Sequence, residues 1–129
     1  MSLYQIMLLG GEALLGLVIA YAAYSLFSST PPSVAKMRAA LHYPRWYWVL
    51  AGIMATIGAV GLLIGMAIPL IEASAALWMA GYFVVATGTH LLRKDWTNLG
   101  APVLFLAIFA GLVALRWADA QPLLALIGM

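Results

Sequence analysis

The fold is best predicted from residues 46–92, which read WYWVLAGIMATIGAVGLLIGMAIPLIEASAALWMAGYFVVATGTHLL. It contains two apolar runs, at about 46–71 and 73–92. Each run is long enough to cross the hydrocarbon core of a bilayer, which takes about 20 helical residues. The connection around 69–72 is too short for anything but a tight hairpin. The stretch therefore predicts two antiparallel transmembrane helices.

Two further apolar runs flank this hairpin, at about 3–27 and 99–115. The composition agrees, because 66% of the residues are hydrophobic and 8% are charged, whereas soluble domains have about 45–50% and about 25%. The runs lack the period-two alternation of a membrane β-barrel. We therefore predict an all-α membrane protein, with residues 1–129 forming a single domain built on a four-transmembrane-helix bundle.

Two segments lie outside the predicted spans. Segment 31–44 places Val34, Met37 and Leu41 on one helical face, which predicts a short interfacial helix in the loop between the first two spans. The tail 117–129 is apolar near its end but too short to cross the bilayer. We expect the tail to rest on the membrane surface or to dock on a partner.

Basic residues predict the orientation, because short cytoplasmic loops are enriched in Lys and Arg. The loops 28–45 and 93–98 contain five basic residues, whereas the opposite side has only Arg116. This asymmetry predicts cytoplasmic loops, both termini outside, and a plasma membrane of bacterial type. The five residues are Lys36, Arg38, Arg45, Arg93 and Lys94.

Small residues recur at helical spacing and predict close helix packing, since hydrophobicity cannot drive association within lipid. The second span has the clearest set, and the other spans have similar faces that leave room for a partner. The residues are Ala51, Ala55, Gly58, Gly61 and Gly65 in the second span, Ser74, Gly81 and Gly88 in the third, and Ala107 and Gly111 in the fourth.

Glu12 is the strongest candidate for chemistry. It lies nine residues into the first span, at a depth of about 14 Å, and an ionisable residue within a membrane suggests a functional site. The sequence leaves two interpretations open: a hydrogen-bonded structural carboxyl group, or one that handles a proton or ligand. We expect no basic partner for Glu12 at the same depth, since Arg116 is assigned to the outer side.

His90 is the second candidate, near the inner end of the third span. A histidine there can simply stabilise the helix C-terminus when protonated. It can also hydrogen-bond the head group of a quinone or lipid, with Thr87 on its helical face and Trp46 at the membrane boundary. The predicted ligand-binding residues are thus His90, Thr87, Glu12 and Trp46. Glu12 and His90 differ in depth and are not expected to form one site.

Several functions find no support in the sequence. The chain has no cysteine and only two histidines, so it offers no recognisable zinc, haem or iron–sulfur ligand set. No nucleophile motif or phosphate-binding loop is present. The basic residues follow the membrane boundaries, which argues against nucleic acid as a partner. We predict no catalytic residues, no metal, and at most a bound quinone or lipid as cofactor.

Three segments carry a family resemblance: 33–46, 51–65 and 89–95, the last reading Thr-His-Leu-Leu-Arg-Lys-Asp. With them the chain resembles the DoxX-like family of four-helix membrane proteins over about residues 8–117. The resemblance implies a link to quinone-reducing sulfur oxidation or redox-stress complexes. Two residues of the family pattern are missing, a lysine near Tyr24–Ser25 and a glutamate at Ala55, and their loss favours a structural or assembly role.

Three functional hypotheses follow. The first is a non-catalytic subunit of a larger membrane complex, of the electron-transfer or energy-converting kind, whose partners are membrane lipids and other membrane subunits. The second is a quinone- or lipid-binding protein that uses His90. The third is a proton-coupled exporter that uses Glu12, by analogy with small four-helix transporters that have one glutamate in the first helix.

Overall fold

The computed structural model describes residues 1–30 and 32–128 and contains helices but no strands in that part of the chain. In chain order the helices are α1 (Leu3–Ser28), α2 (Pro32–Leu41), α3 (Arg45–Gly65), α4 (Pro69–Leu92) and α5 (Gly100–Leu126), with a 3₁₀ turn at Trp96–Asn98 between the last two. The four longest helices are long and apolar enough to cross a membrane. The predicted fold class is confirmed. Helix α2 lies in the predicted interfacial segment, whose first residue, Pro31, is outside the described residues.

The hairpin between α3 and α4 comes earlier than its predicted position at 69–72. Helix α3 ends at Gly65, and Pro69 is the first residue of α4. Proline suits the first helical position because its fixed φ fits a helix and no backbone N–H is lost there. The turn therefore occupies 66–68, and Glu72 belongs to the first turn of α4.

Helix α5 is longer than the apolar run that predicted it. It continues past residue 115 to Leu126, so most of the predicted tail 117–129 forms its last turns. The helix is followed by Gly128, which has a φ of 81°, and a residue of this kind typically terminates a helix. The positive φ of Gly128, and not the end of the apolar run, therefore marks the end of α5.

Close packing joins neighbouring helices in the order α1, α3, α4, α5. In α3 the predicted small residues lie at these contacts: a side chain at Gly61 would come within 3.0 Å of the Ala75 Cβ. Gly81, Gly88 and Gly111, in contrast, have no atom of another element within 4 Å of the point where a Cβ would lie. These three glycines of α4 and α5 therefore make no helix contact within the described chain.

Candidate functional site

A cavity of about 800 Å³ lies between the helices where α3 begins and α4 ends. Its volume is within the range of small-molecule pockets, about 300–1,000 Å³. All five helices contribute to its wall, which is mostly apolar. We call this end of the molecule the cavity end. The lining residues that matter below are Tyr47, Trp48, Tyr82, Ala86, Thr89 and His90.

His90 is held in place by the turn that ends α4. The N–H of Lys94 donates to the carbonyl of Leu91, and the N–H of Asp95 donates to the carbonyl of His90. These two bonds, with Lys94 at a φ of 54°, form a Schellman motif. The motif turns the chain back so that an oxygen of Asp95 lies 2.9 Å from Nδ1 of His90. With Nδ1 engaged, Nε2 is the nitrogen left for a ligand.

Asp95 is itself fixed by a neighbour. The side-chain amide of Asn98 donates to both carboxylate oxygens of Asp95, at 3.0 Å each. Asp95 is not among the residues predicted from the sequence, although its position just after the helical end and five residues beyond His90 is a usable signal. An orienting carboxylate fixes both the tautomer and the direction of the imidazole ring.

A second polar pair lies next to His90 on the cavity wall. The hydroxyl groups of Tyr47 and Thr89 are 2.6 Å apart, and this bond joins the first turn of α3 to the last turn of α4. Aromatic rings surround Tyr47, which stacks on Tyr43 at 4.4 Å and meets Trp48 edge to face at 5.0 Å. The cavity therefore combines an aromatic, apolar wall with two hydrogen-bonded polar pairs at one edge.

Helix α2 covers part of the cavity. Arg38 of α2 donates to the carbonyl of Leu26 at the end of α1 and to the side chain of Ser29. Its guanidinium also lies 5.5 Å from the centre of the Trp48 ring. Leu41, at the end of α2, is buried with Leu26 and Trp48. Helix α2 is thus attached to the bundle by specific contacts.

The four predicted ligand-binding residues are not brought together. His90 lines the cavity; the described wall does not include Thr87 or Trp46. The Thr87 hydroxyl is buried and has no hydrogen-bond partner among the described residues, and Trp46 is exposed on the outside of the bundle. Glu12 packs near the turn before α4, some 20 residues of helix from His90, hence about 30 Å away.

Glu12 has a basic partner, so the expectation that it lacks one at its depth is wrong. The partner is Arg116 of α5, whose Nε and Nη2 donate to the two carboxylate oxygens at 2.7 and 2.5 Å. Both side chains are buried. The expectation failed because it ended the fourth span at residue 115 and placed Arg116 in an outer loop. Helix α5 instead continues and points Arg116 inward. We call this end of the molecule the charged end.

Arg116 makes two further hydrogen bonds. It donates to the carbonyl of Met66 in the turn between α3 and α4 and to the carboxylate of Asp119, each at 3.3 Å. A recess of about 420 Å³ lies above this turn, between the N-terminal part of α1 and the last turns of α5, and both Arg116 and Asp119 line it. The ion pair is therefore buried but borders a space that opens at the molecular surface.

Glu72 is the third ionisable residue at the charged end. It is fully buried, and neither carboxyl oxygen has a hydrogen-bond partner among the described residues. The carboxyl group lies against α3, since a side chain at Gly65 would come within 2.9 Å of Oε2. The sequence alone places Glu72 in the predicted hairpin and gives no sign of its burial. An acidic residue in the first turn of a helix is common.

These features define a class of protein: a small integral membrane protein of four spanning helices, with a mostly apolar cavity at one end and a buried ion pair at the other. A model of the DoxX-like family matches residues 11–112, and the chain belongs to that family. The matched region includes Glu12, Glu72 and His90 but ends before Arg116. No curated protein and no solved structure matches the chain significantly.

Proposed function

We propose that the protein binds a lipid-soluble molecule with a polar head group, of the quinone or lipid kind, in the cavity. The observation that carries this proposal is the placement of the His90–Asp95 and Tyr47–Thr89 pairs on an otherwise apolar wall. Binding sites for small molecules typically combine a mostly apolar lining with a few placed polar groups. His90 Nε2 would bind the head group, and the aromatic wall would pack against the apolar part.

The proposal is tested by extracting and quantifying quinones and lipids from protein purified in mild detergent. Ala86→Phe should fill part of the cavity and reduce the amount of co-purifying molecule several-fold. His90→Ala should reduce it too, by removing the polar contact. Thr87→Val is the matched control, because Thr87 is one helical turn from His90 but not on the cavity wall. Equal content in all four proteins would refute the proposal.

A second candidate function, membership of a larger membrane complex, is favoured by a different observation. Gly10 on α1, Gly88 on α4 and Gly111 on α5 have open space around them, and membrane helices associate through such small residues. An electron-transfer or energy-converting complex would be the natural setting for a subunit that binds a quinone. Native gels of gently solubilised membranes test this, with Gly111→Ile expected to release the chain. A wild-type chain that migrates alone would contradict it.

The exporter hypothesis has less support. It relied on a carboxylate in the first helix that is free to exchange a proton for a substrate. Both oxygens of Glu12 are instead bonded to Arg116, and separating a buried pair of this kind is costly. Proton-coupled export through Glu12 would require that separation in every cycle.

For the membrane and orientation we propose a bacterial-type plasma membrane, with the cavity end in the cytoplasm and both termini outside. The support is that five of the six basic residues belong to the loops and helix ends at the cavity end. The natural chain has no cysteine, so single cysteines at Ser2 and Asn98 can be labelled in intact cells. A membrane-impermeant reagent should label the first and not the second. The reverse pattern would contradict the orientation.

A further inference from the structure

The buried carboxyl group of Glu72 has no explanation in the proposed ligand site, which lies at the other end of α4. Buried polar groups are almost always hydrogen-bonded, and an exception usually indicates a functional group or an undescribed ligand. Neither carboxyl oxygen of Glu72 has a hydrogen-bond partner among the described residues. Its exposed fraction is 0%, so bulk water does not supply the missing bonds.

The charged end contains more carboxyl groups than its one guanidinium can neutralise. Arg116 uses Nε and Nη2 for Glu12, Nη2 for Met66 and Nη1 for the partly exposed Asp119. It makes no hydrogen bond to Glu72, although it donates to the carbonyl of Met66, the residue after Gly65, against which the Glu72 carboxyl lies. An ionised Glu72 would thus be a second buried negative charge beside Glu12, without a donor of its own.

We propose that Glu12, Arg116 and Glu72 form a proton-binding site, in which Glu12 is the ionised partner of Arg116 and Glu72 carries one bound proton. The proton makes the three-residue cluster electrically neutral, as burial in a membrane protein requires. The recess reaches the cluster at Arg116, so the proton would exchange with the surrounding solution from that side. This inference is independent of the ligand proposed for the cavity.

Binding of this proton to Glu72 would also affect the contact between α1 and α5. Within the described chain, α1 and α5 pack on each other far less than the pairs α1–α3, α3–α4 and α4–α5 do. The Glu12–Arg116 ion pair joins α1 to α5. Loss of the Glu72 proton would create a second carboxylate that competes with Glu12 for Arg116. The charged end therefore has a means of loosening α1 from α5 when the proton leaves.

Infrared spectroscopy of the purified protein near neutral pH tests the proposal. The chain contains only four acidic side chains, Glu12, Glu72, Asp95 and Asp119, so a protonated carboxyl group can be assigned with four single amide variants. We expect one C=O stretching band of a protonated carboxyl group, which shifts to lower frequency in D₂O. The band should be lost in Glu72→Gln and retained in Asp95→Asn and Asp119→Asn.

Asp119→Asn is the matched control because it also removes a carboxylate bonded to Arg116, but a partly exposed one. Labelling the wild type with ¹³C-glutamate should shift the band as well, and this test does not depend on the folding of any variant. The proposal is overturned if the wild type lacks the band or if labelled glutamate leaves it unmoved. It is also overturned if the band survives Glu72→Gln and disappears in Glu12→Gln.

Discussion

The two ends of the bundle use polar residues in opposite ways. At the charged end, Glu12 and Arg116 are buried against each other and bridge α1 and α5. At the cavity end, His90 is hydrogen-bonded to Asp95 and Tyr47 to Thr89, and the side chains of His90 and Tyr47 also line the cavity. The first arrangement holds helices together, whereas the second leaves polar atoms available for a ligand. The charged end thus buries its polar contacts between helices, whereas the cavity end places its polar contacts on the wall that the proposed ligand would face.

The largest expected effect is at the charged end. Arg116→Ala leaves Glu12 buried without its counter-ion, and breaking a buried pair by removing one partner typically costs about 3–5 kcal/mol. We expect a loss of this size in the free energy of unfolding, measured by denaturation in mixed detergent micelles. His90→Ala should change that free energy much less if the two ends differ as described.

A double variant controls for simple loss of contacts. Glu12→Gln combined with Arg116→Gln removes both charges and leaves neutral groups that can still hydrogen-bond. It should be clearly more stable than Arg116→Ala, because the penalty arises mainly from the unpaired charge. Equal stability of the two proteins would show that the ion pair contributes only packing.

The next effect concerns the close approach of α3 and α4 at the charged end. A Cβ at position 65 would lie 2.5 Å from the backbone nitrogen of Glu72, and the backbone cannot move aside as a flexible side chain can. Gly65→Ala should therefore cost about 1–3 kcal/mol, the range for overpacking. The measurement is the same unfolding titration.

Gly111→Ala is the matched control for Gly65→Ala. It lies within α5 with nothing near its added Cβ, and replacing a helical glycine by alanine gains up to about 1 kcal/mol. Opposite signs for the two glycines are expected. If both substitutions stabilise the protein, the contact between α3 and α4 is looser than the geometry indicates.

The sequence predicts the spans of this protein well and their ends poorly. Long apolar runs without period-two alternation predict four membrane helices, because a helix satisfies all its backbone hydrogen bonds within one segment in lipid. The end of α5, in contrast, depends on Gly128 and on the burial of Arg116 against Glu12, a residue 104 positions away. A pattern along the chain contains no information about such a partner.

The candidate site was predictable only in part, for a similar reason. His90 could be selected because an ionisable residue within a membrane span is rare. Asp95 could have been found from the helix-ending turn that returns the chain to His90. The cavity itself and the isolation of Glu72 could not, since empty space and missing partners are properties of the packed bundle.

A smaller effect is expected at the cavity end from Tyr47→Phe. The substitution removes the hydroxyl that lies 2.6 Å from Thr89, and one hydrogen bond contributes about 1 kcal/mol net. Unfolding should therefore be affected only slightly, while the amount of co-purifying quinone or lipid falls. Tyr24→Phe is the control, since Tyr24 is exposed. If the ligand content is unchanged, the Tyr47–Thr89 pair stabilises the bundle without contacting the ligand.

The smallest effect is expected from Arg38→Lys, which keeps the charge of α2 but loses the planar guanidinium over Trp48. Contacts of this kind contribute about 0.5–1 kcal/mol at exposed sites, so global unfolding should hardly change. Local opening of α2 should become more frequent, because Arg38 also bonds the end of α1. Hydrogen exchange should therefore accelerate in the amides of α2 and not in α4.

Lys36→Arg is the matched control, since Lys36 is on the exposed face of the same helix. It should leave the hydrogen exchange of α2 and of α4 unchanged. Equal exchange rates in the two variants would mean that α2 is held by its apolar face, with Leu41 as the main contact, and not by the guanidinium of Arg38.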